Sequence, residues 1–282
     1  MMQVDMAATA LSNTSNIFAA NRARGQISLK LAQSDGVTRP MRIHEEGSAR
    51  VRFPHVRSDA LEAVIINTAG GIAGGDRFDF EAAVEKDSRL VVTTAAAEKI
   101  YRSLGPDAHL TIKLDIGPAA RLAWLPQETI IFDGARLSRT IEVDLAADAA
   151  LVLAEAVVFG RSAMGETVGQ GRLVDRWRVR RAGRLVFAET LHLDGDIAKK
   201  LAEPAVAHGG RAVATILMSP GDGGQVNAVR ALQDDFAGEV GISCWNGLMV
   251  MRFCAGDGAP LRHDMIAALT ALRVPLPRLW LN

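Results

Sequence analysis

Net charge, cysteine and long apolar runs are all scarce in this chain, and each scarcity removes a class of function. Lys+Arg and Asp+Glu balance at 32 each, so no net basic field gathers nucleic acid or an anionic membrane surface. No apolar run approaches the roughly 20 residues of a membrane helix, and the opening MMQVDMAATALSNTSN lacks the charged-then-apolar layout of a signal peptide. A cytoplasmic protein is expected, with neither nucleic acid nor membrane as partner. Balanced charge with 49% hydrophobic residues gives little colloidal repulsion, which suits a protein that works inside a complex.

The two cysteines, Cys244 and Cys254, flank Asn246-Gly247, a strong hairpin signal. A two-residue turn there sets Cys244 against Met249 and Cys254 against Val240. The thiols then lie about five rungs, or roughly 17 Å, apart at strand rise, beyond the reach of a disulfide. Two free, buried thiols are expected, in agreement with a reducing compartment.

Catalytic and tight-ligand signatures are also missing. Six histidines show no HxH, HxxxH or HExxH spacing and C-x-x-C is absent, so no preformed zinc or nickel site is readable. No nucleophile elbow or nucleophile–base pair is recognisable. The glycine loop NTAGGIAGGDRF, with Gly70, Gly71, Gly74 and Gly75, runs into a strand rather than a helix. It therefore lacks the amide-lined helix start that a phosphate or dinucleotide site needs. It reads as a connection between strands Ala63–Asn67 and Arg77–Val84, its glycines permitting positive φ and close approach. Asp76 behind it is either a functional carboxylate or a turn residue bonding local amides.

What the chain does have is period-two alternation. Phe78, Phe80, Ala82 and Val84, then Leu110, Ile112, Leu114 and Ile116, then Ile141, Val143 and Leu145 alternate with polar residues, as half-buried strands do. Between them KDSRLVV, GPAARLAWL, ADAALVLAE and RAGRLVFAE share anchor leucines Leu90, Leu122, Leu151 and Leu185, recurring about every 30 residues. A unit of two strands and two turns implies a mainly β fold of layered sheets, either stacked like a solenoid or packed as an antiparallel sandwich. Helical spacing marks Gln225–Phe236 and His263–Arg273 near the C-terminus, and a short helix precedes Pro204. No linker forces a division. A single domain over 1–282 is expected, with 1–14 disordered, a layered β core over 15–195, and a helix and hairpin part over 196–282.

Strand parity carries the main anomaly. Glu155 shares its face with Leu151 and Leu153, Glu189 with Leu185 and Phe187, Glu128 with Leu122 and Trp124, and Glu98 with Leu90 and Val92. A bulge would flip any of them. Carboxylates inside a core must be paired, protonated, hydrated or holding a cation. Two readings follow: a polar passage able to carry a cation between oxygen ligands, or structural pairing with an arginine such as Arg161 or Arg102.

The motifs NTAGGIAGGDR, VVTTAAAEKIYRS, WLPQETIIFDGA, FGRSAMGE and AETLHLDG, with the terminal PRLWLN, together resemble the urease accessory protein UreD (UreH) family from about Gly36 through Leu193. The resemblance implies a non-enzymatic maturation chaperone with a layered β fold. It would bind the accessory protein UreF and, through it, the GTPase UreG, and dock on urease apoprotein while nickel is installed. No tightly bound cofactor is implied, only transient Ni²⁺ in internal tunnels. Asp76, Glu155 and Glu189 fall where family members have tunnel carboxylates, with Glu98 and Glu128 as further candidate lining. The chain departs from the family pattern in having Thr68 and Ala69 where two prolines are usual, Glu98 where threonine is usual, and GSARVRFPHV near its start.

Overall fold

The structure, a computed structural model, describes residues 22–55 and 58–281; the disordered start expected for 1–14 lies outside them. The described chain opens with an antiparallel pair, β1 (Arg24–Ser34) and β2 (Val37–Gly47), then a short β3 (Ala49–Arg52) antiparallel to β4 (Leu61–Asn67). After β4 come β5 (Arg77–Val84), β6 (Arg89–Thr94), β7 (Glu98–Ile100), β8 (Ala108–Ile116) and β9 (Arg121–Trp124). These are followed by β10 (Thr129–Ile131), β11 (Arg136–Leu145), β12 (Ala150–Phe159) and β13 (Gly171–Arg181).

Strands β1, β5, β8, β11 and β13 are parallel neighbours in one sheet, and β4, β6, β9 and β12 in the other. The chain thus lays one strand in each sheet per coil and steps up one rung, which is a β-solenoid and not an antiparallel sandwich. Short β7 and β10 make a third side that continues parallel onto β12. At the far end β14 (Arg184–Gly195) folds back antiparallel on β13. Beyond it lie α1 (Ile197–Ala202), β15 (Ala212–Ser219), α2 (Gly223–Arg230), β16 (Glu239–Trp245), β17 (Leu248–Ala255) and α3 (Gly258–Ala271). The β15–β17 strands extend the second sheet antiparallel from β12.

The roughly 30-residue recurrence is the coil itself. Leu90 pairs with Leu122 and Leu122 with Leu151, one rung apart in a parallel ladder. Leu185 does not continue the series: a bulge at Val186 in the β13–β14 pairing turns it outward, to 53% exposure, while Phe187 stays inside. On the facing sheet Phe80, Ile112, Ile141 and Trp177 form a matching inward column, and Phe80 meets Trp124 across the gap at 5.0 Å between ring centroids. Strand β12 is buried on both faces because its outer Ala154, Ala156 and Val158 share one apolar cluster with Leu261, Met265 and Leu269 of α3, which lies over β15 and β17. This explains the unbroken apolar run ALVLA.

The helices begin earlier than their apolar spacing indicates. Asp257 caps α3 by accepting from the Gly258 amide, and Asp222 with Gln225 forms a capping box on α2, which stops at Arg230. Caps, not apolar periodicity, fix these starts. The hairpin sets Cys244 against Met249 as expected, but Cys254 against Glu239 rather than Val240. Both thiols are free; Cys244 is exposed and Cys254 half-buried, because β16 is an edge strand covered on one side only.

Candidate functional site

Inward positions along the first sheet alternate between apolar layers and one charged layer. On β11 the sequence inward is Leu137, Arg139, Ile141 and Val143; on β13 it is Leu173, Asp175, Trp177 and Val179. Leu137 and Leu173 belong to one apolar cluster, and Ile141 and Trp177 to another. Register places Arg139 beside Asp175, so neighbouring parallel strands about 4.8 Å apart present a cation and an anion side by side. From the other sheet Glu155, between Leu153 and Val157 on β12, enters the same layer.

Arg139 is 2% exposed, Glu155 5% and Asp175 5%. The guanidinium donates through Nε to Asp175 Oδ1 at 3.0 Å and through Nη2 to Asp175 Oδ2 at 2.5 Å. Nη1 donates to Glu155 Oε2, and to Thr129 Oγ1 at 3.3 Å. Trp124 Nε1 donates to the other Glu155 oxygen at 2.8 Å. One cation thus faces two carboxylates. Burial, reinforced by Asp175 and opposed by Arg139 and the Trp124 N–H, pushes the Glu155 carboxyl up to about 7. Burial alone would lower the Arg139 pKa, but Asp175 and Glu155 more than offset it and raise it.

The triad separates two cavities, and both are lined by Arg139 and Glu155. One, of about 470 Å³, opens between the sheets where β14 and β17 diverge and includes Glu189, Thr215, Arg252 and Cys254 in its walls. The other, of about 100 Å³, lies towards the first coils and includes Asn67, Glu98 and Gln127. Glu98 accepts from Asn67 Nδ2 at 2.9 Å, and burial raises its pKa despite that bond. Glu189 spans the wide mouth: Arg252 Nη1 and Nη2 donate to its two oxygens at 2.6 and 2.7 Å.

Three expected site residues therefore line these spaces and two do not. Glu155 sits in the charged layer, while Glu189, the rung partner of Trp177, and Glu98 line the cavities on either side of it. Glu128 is turned to the opposite side of the second sheet and holds Arg262 of α3 in a two-point pair at 2.7 Å, because the segment from Pro126 breaks the strand parity. Asp76 lines neither cavity: its Oδ2 accepts from the Ala73 amide within the loop and its Oδ1 from the Ala23 amide just before β1, both at 2.8 Å, so it is a turn residue that also ties the loop to a distant strand. The arginine that pairs the carboxylates is neither Arg161, which holds Glu166, nor Arg102. It is Arg139, which shares parity with Leu137 and Ile141 and was legible from that pattern, as was Asp175.

The glycine loop shapes the adjoining end of the solenoid. A Cβ at Gly71 would fall 2.4 Å from the Tyr101 ring, and one at Gly74 1.9 Å from Ser103 Oγ, so both positions admit only glycine at this packing. Among the described residues no group of three or more His, Cys, Asp or Glu is placed to hold a metal ion, and no helix is long and apolar enough to cross a membrane.

The sequence profile described as "UreD urease accessory protein" matches residues 23–281. The urease accessory protein UreD of Rhodopseudomonas palustris (strain BisA53) is 57% identical over 274 residues, covering 97% of this chain and 96% of that one. That of Bradyrhizobium diazoefficiens is 56% identical, covering 96% and 99%, and "UreD 3" of Bradyrhizobium sp. (strain BTAi1) is 55% identical, covering 98% and 100%. UreD proteins are urease maturation chaperones and not enzymes, and the chain belongs to the UreD urease accessory protein family.

Proposed function

We propose that the chain acts in complex with UreF, with the GTPase UreG through UreF, and with urease apoprotein, and that its charged layer conducts Ni²⁺ as cargo towards urease. The observation that carries this reading is that two cavities meet at the same buried Glu155. Glu189 lies on one side and Glu98 on the other. Oxygen ligands spaced along a path, none forming a closed cage, suit an ion that must leave as readily as it enters. Asp76 has no place on this path; it holds the loop beside it.

A second reading, a scaffold that bridges urease to the other accessory proteins, is favoured by one observation: Glu155 and Asp175 are already paired with Arg139. The readings separate on substitution. With Glu155→Leu co-expressed alongside urease and its accessory proteins, a passage predicts an assembled complex and urease with much reduced nickel content. The scaffold reading predicts normal nickel wherever the complex forms, and that result would overturn the passage.

A further inference from the structure

The contacts of Arg139 are asymmetric. Two of its nitrogens hold Asp175, its rung neighbour in the same sheet, while a single nitrogen, Nη1, crosses the interior to Glu155 in the opposite sheet. The two-point hold on Asp175 has the planar fork geometry that fixes a guanidinium; the one-point contact with Glu155 has not. Glu155 is meanwhile kept in position from its other oxygen by Trp124 Nε1. It stays aimed at the junction of the two cavities whether or not Nη1 is there.

We propose that Arg139 is a built-in counter-ion that closes the passage, hinged on Asp175 and latched on Glu155, so that a divalent cation advances only by taking the place of Nη1 at the Glu155 carboxylate. The proposal rests on the conducting function inferred above and assigns its control. In the closed state the guanidinium supplies the positive charge that the two buried carboxylates require, and the small and large cavities are separated. A dication arriving from either cavity competes for Glu155 with twice the charge of the latch. Loss of that one contact leaves Arg139 held by Asp175. The large cavity, lined there by Asp175, Thr215 and Val213, gives the guanidinium and Asp175 room to withdraw together from Glu155. A buried triad that merely stabilises the fold would make no use of cavities on both of its sides.

The test is direct metal binding by the full-length chain, read separately from urease activation. Arg139→Gln leaves Glu155 and Asp175 without their cation, so equilibrium dialysis against Ni²⁺ should show roughly one further ion per chain than wild type, and Co²⁺ should give a visible absorption band that wild type lacks. The triple change Arg139→Gln, Glu155→Gln and Asp175→Asn should lose both signals. Equal Ni²⁺ binding by wild type and folded Arg139→Gln would overturn the proposal. If Arg139→Gln does not fold, Arg139→Lys keeps the charge without the fork, and Ni²⁺ should then bind about tenfold more tightly than to wild type; unchanged affinity would overturn the proposal. The conducting reading fails on a different result, normal urease nickel with Glu155→Leu, which leaves the binding comparison standing.

Discussion

Arg139 and Ile141 lie two residues apart on one strand, face the same interior and pair in the same ladders, yet one belongs to a charged layer and the other to a dry apolar one. Ile141 stacks between Ile112 and Trp177, and Arg139 between Leu110 and Asp175. The backbone does not distinguish them. A parallel coil supplies identical columns at every inward position, so the charged layer is not required by the fold. It costs desolvation that the apolar layer does not, and that cost points to a use.

The largest expected effect that sharpens this contrast is at Arg139. Arg139→Ala should lose about 3–5 kcal/mol in chemical denaturation, because two carboxylates stay buried without their cation. A loss below that of an apolar truncation would show the layer to be hydrated and the charges already screened.

A smaller effect depends on pH. The Glu155 carboxyl titrates at about 7 in the folded chain against 4.5 when unperturbed, so the native state holds this proton more tightly than the unfolded chain does. Its favourable contribution is complete below 4.5 and is lost as pH rises through about 7. Wild type should therefore lose stability relative to Glu155→Gln over that interval in parallel urea titrations. A difference independent of pH would place the Glu155 charge in a solvated setting.

The smallest effect is at the mouth. Arg252 is 55% exposed, and Arg252→Gln should cost only about 0.2–1 kcal/mol in thermal unfolding. A loss as large as that at Arg139 would extend the buried layer out to Glu189.

Much of this was written in the sequence. Alternation gave the inward faces of β5, β8 and β11, and the leucine recurrence gave the coil. The parity that turns Glu155 inward applies equally to Arg139 between Leu137 and Ile141, and to Asp175 between Leu173 and Trp177. What parity could not carry is continuity. The bulge at Val186 shifts Leu185 out of phase with Glu189, and the segment from Pro126 reverses Glu128 towards Arg262. Both are single-residue changes of backbone phase that leave composition untouched. Nor does one strand reveal its neighbour: that Arg139 meets Asp175 and Glu155 follows from rung register and from which sheet faces which. Cys244 became exposed for a similar reason, since its hairpin forms the sheet edge and, among the described residues, no further strand covers it.

The most direct measurement replaces the charged layer with more of the apolar one. A chain carrying Arg139→Met, Glu155→Leu and Asp175→Leu should fold with stability equal to wild type or about 1–4 kcal/mol above it, and should still co-purify with its partners. Urease matured with that chain is predicted to contain little nickel by elemental analysis. Full nickel content alongside an intact complex would contradict the account and leave the buried charges without a role in cargo transfer.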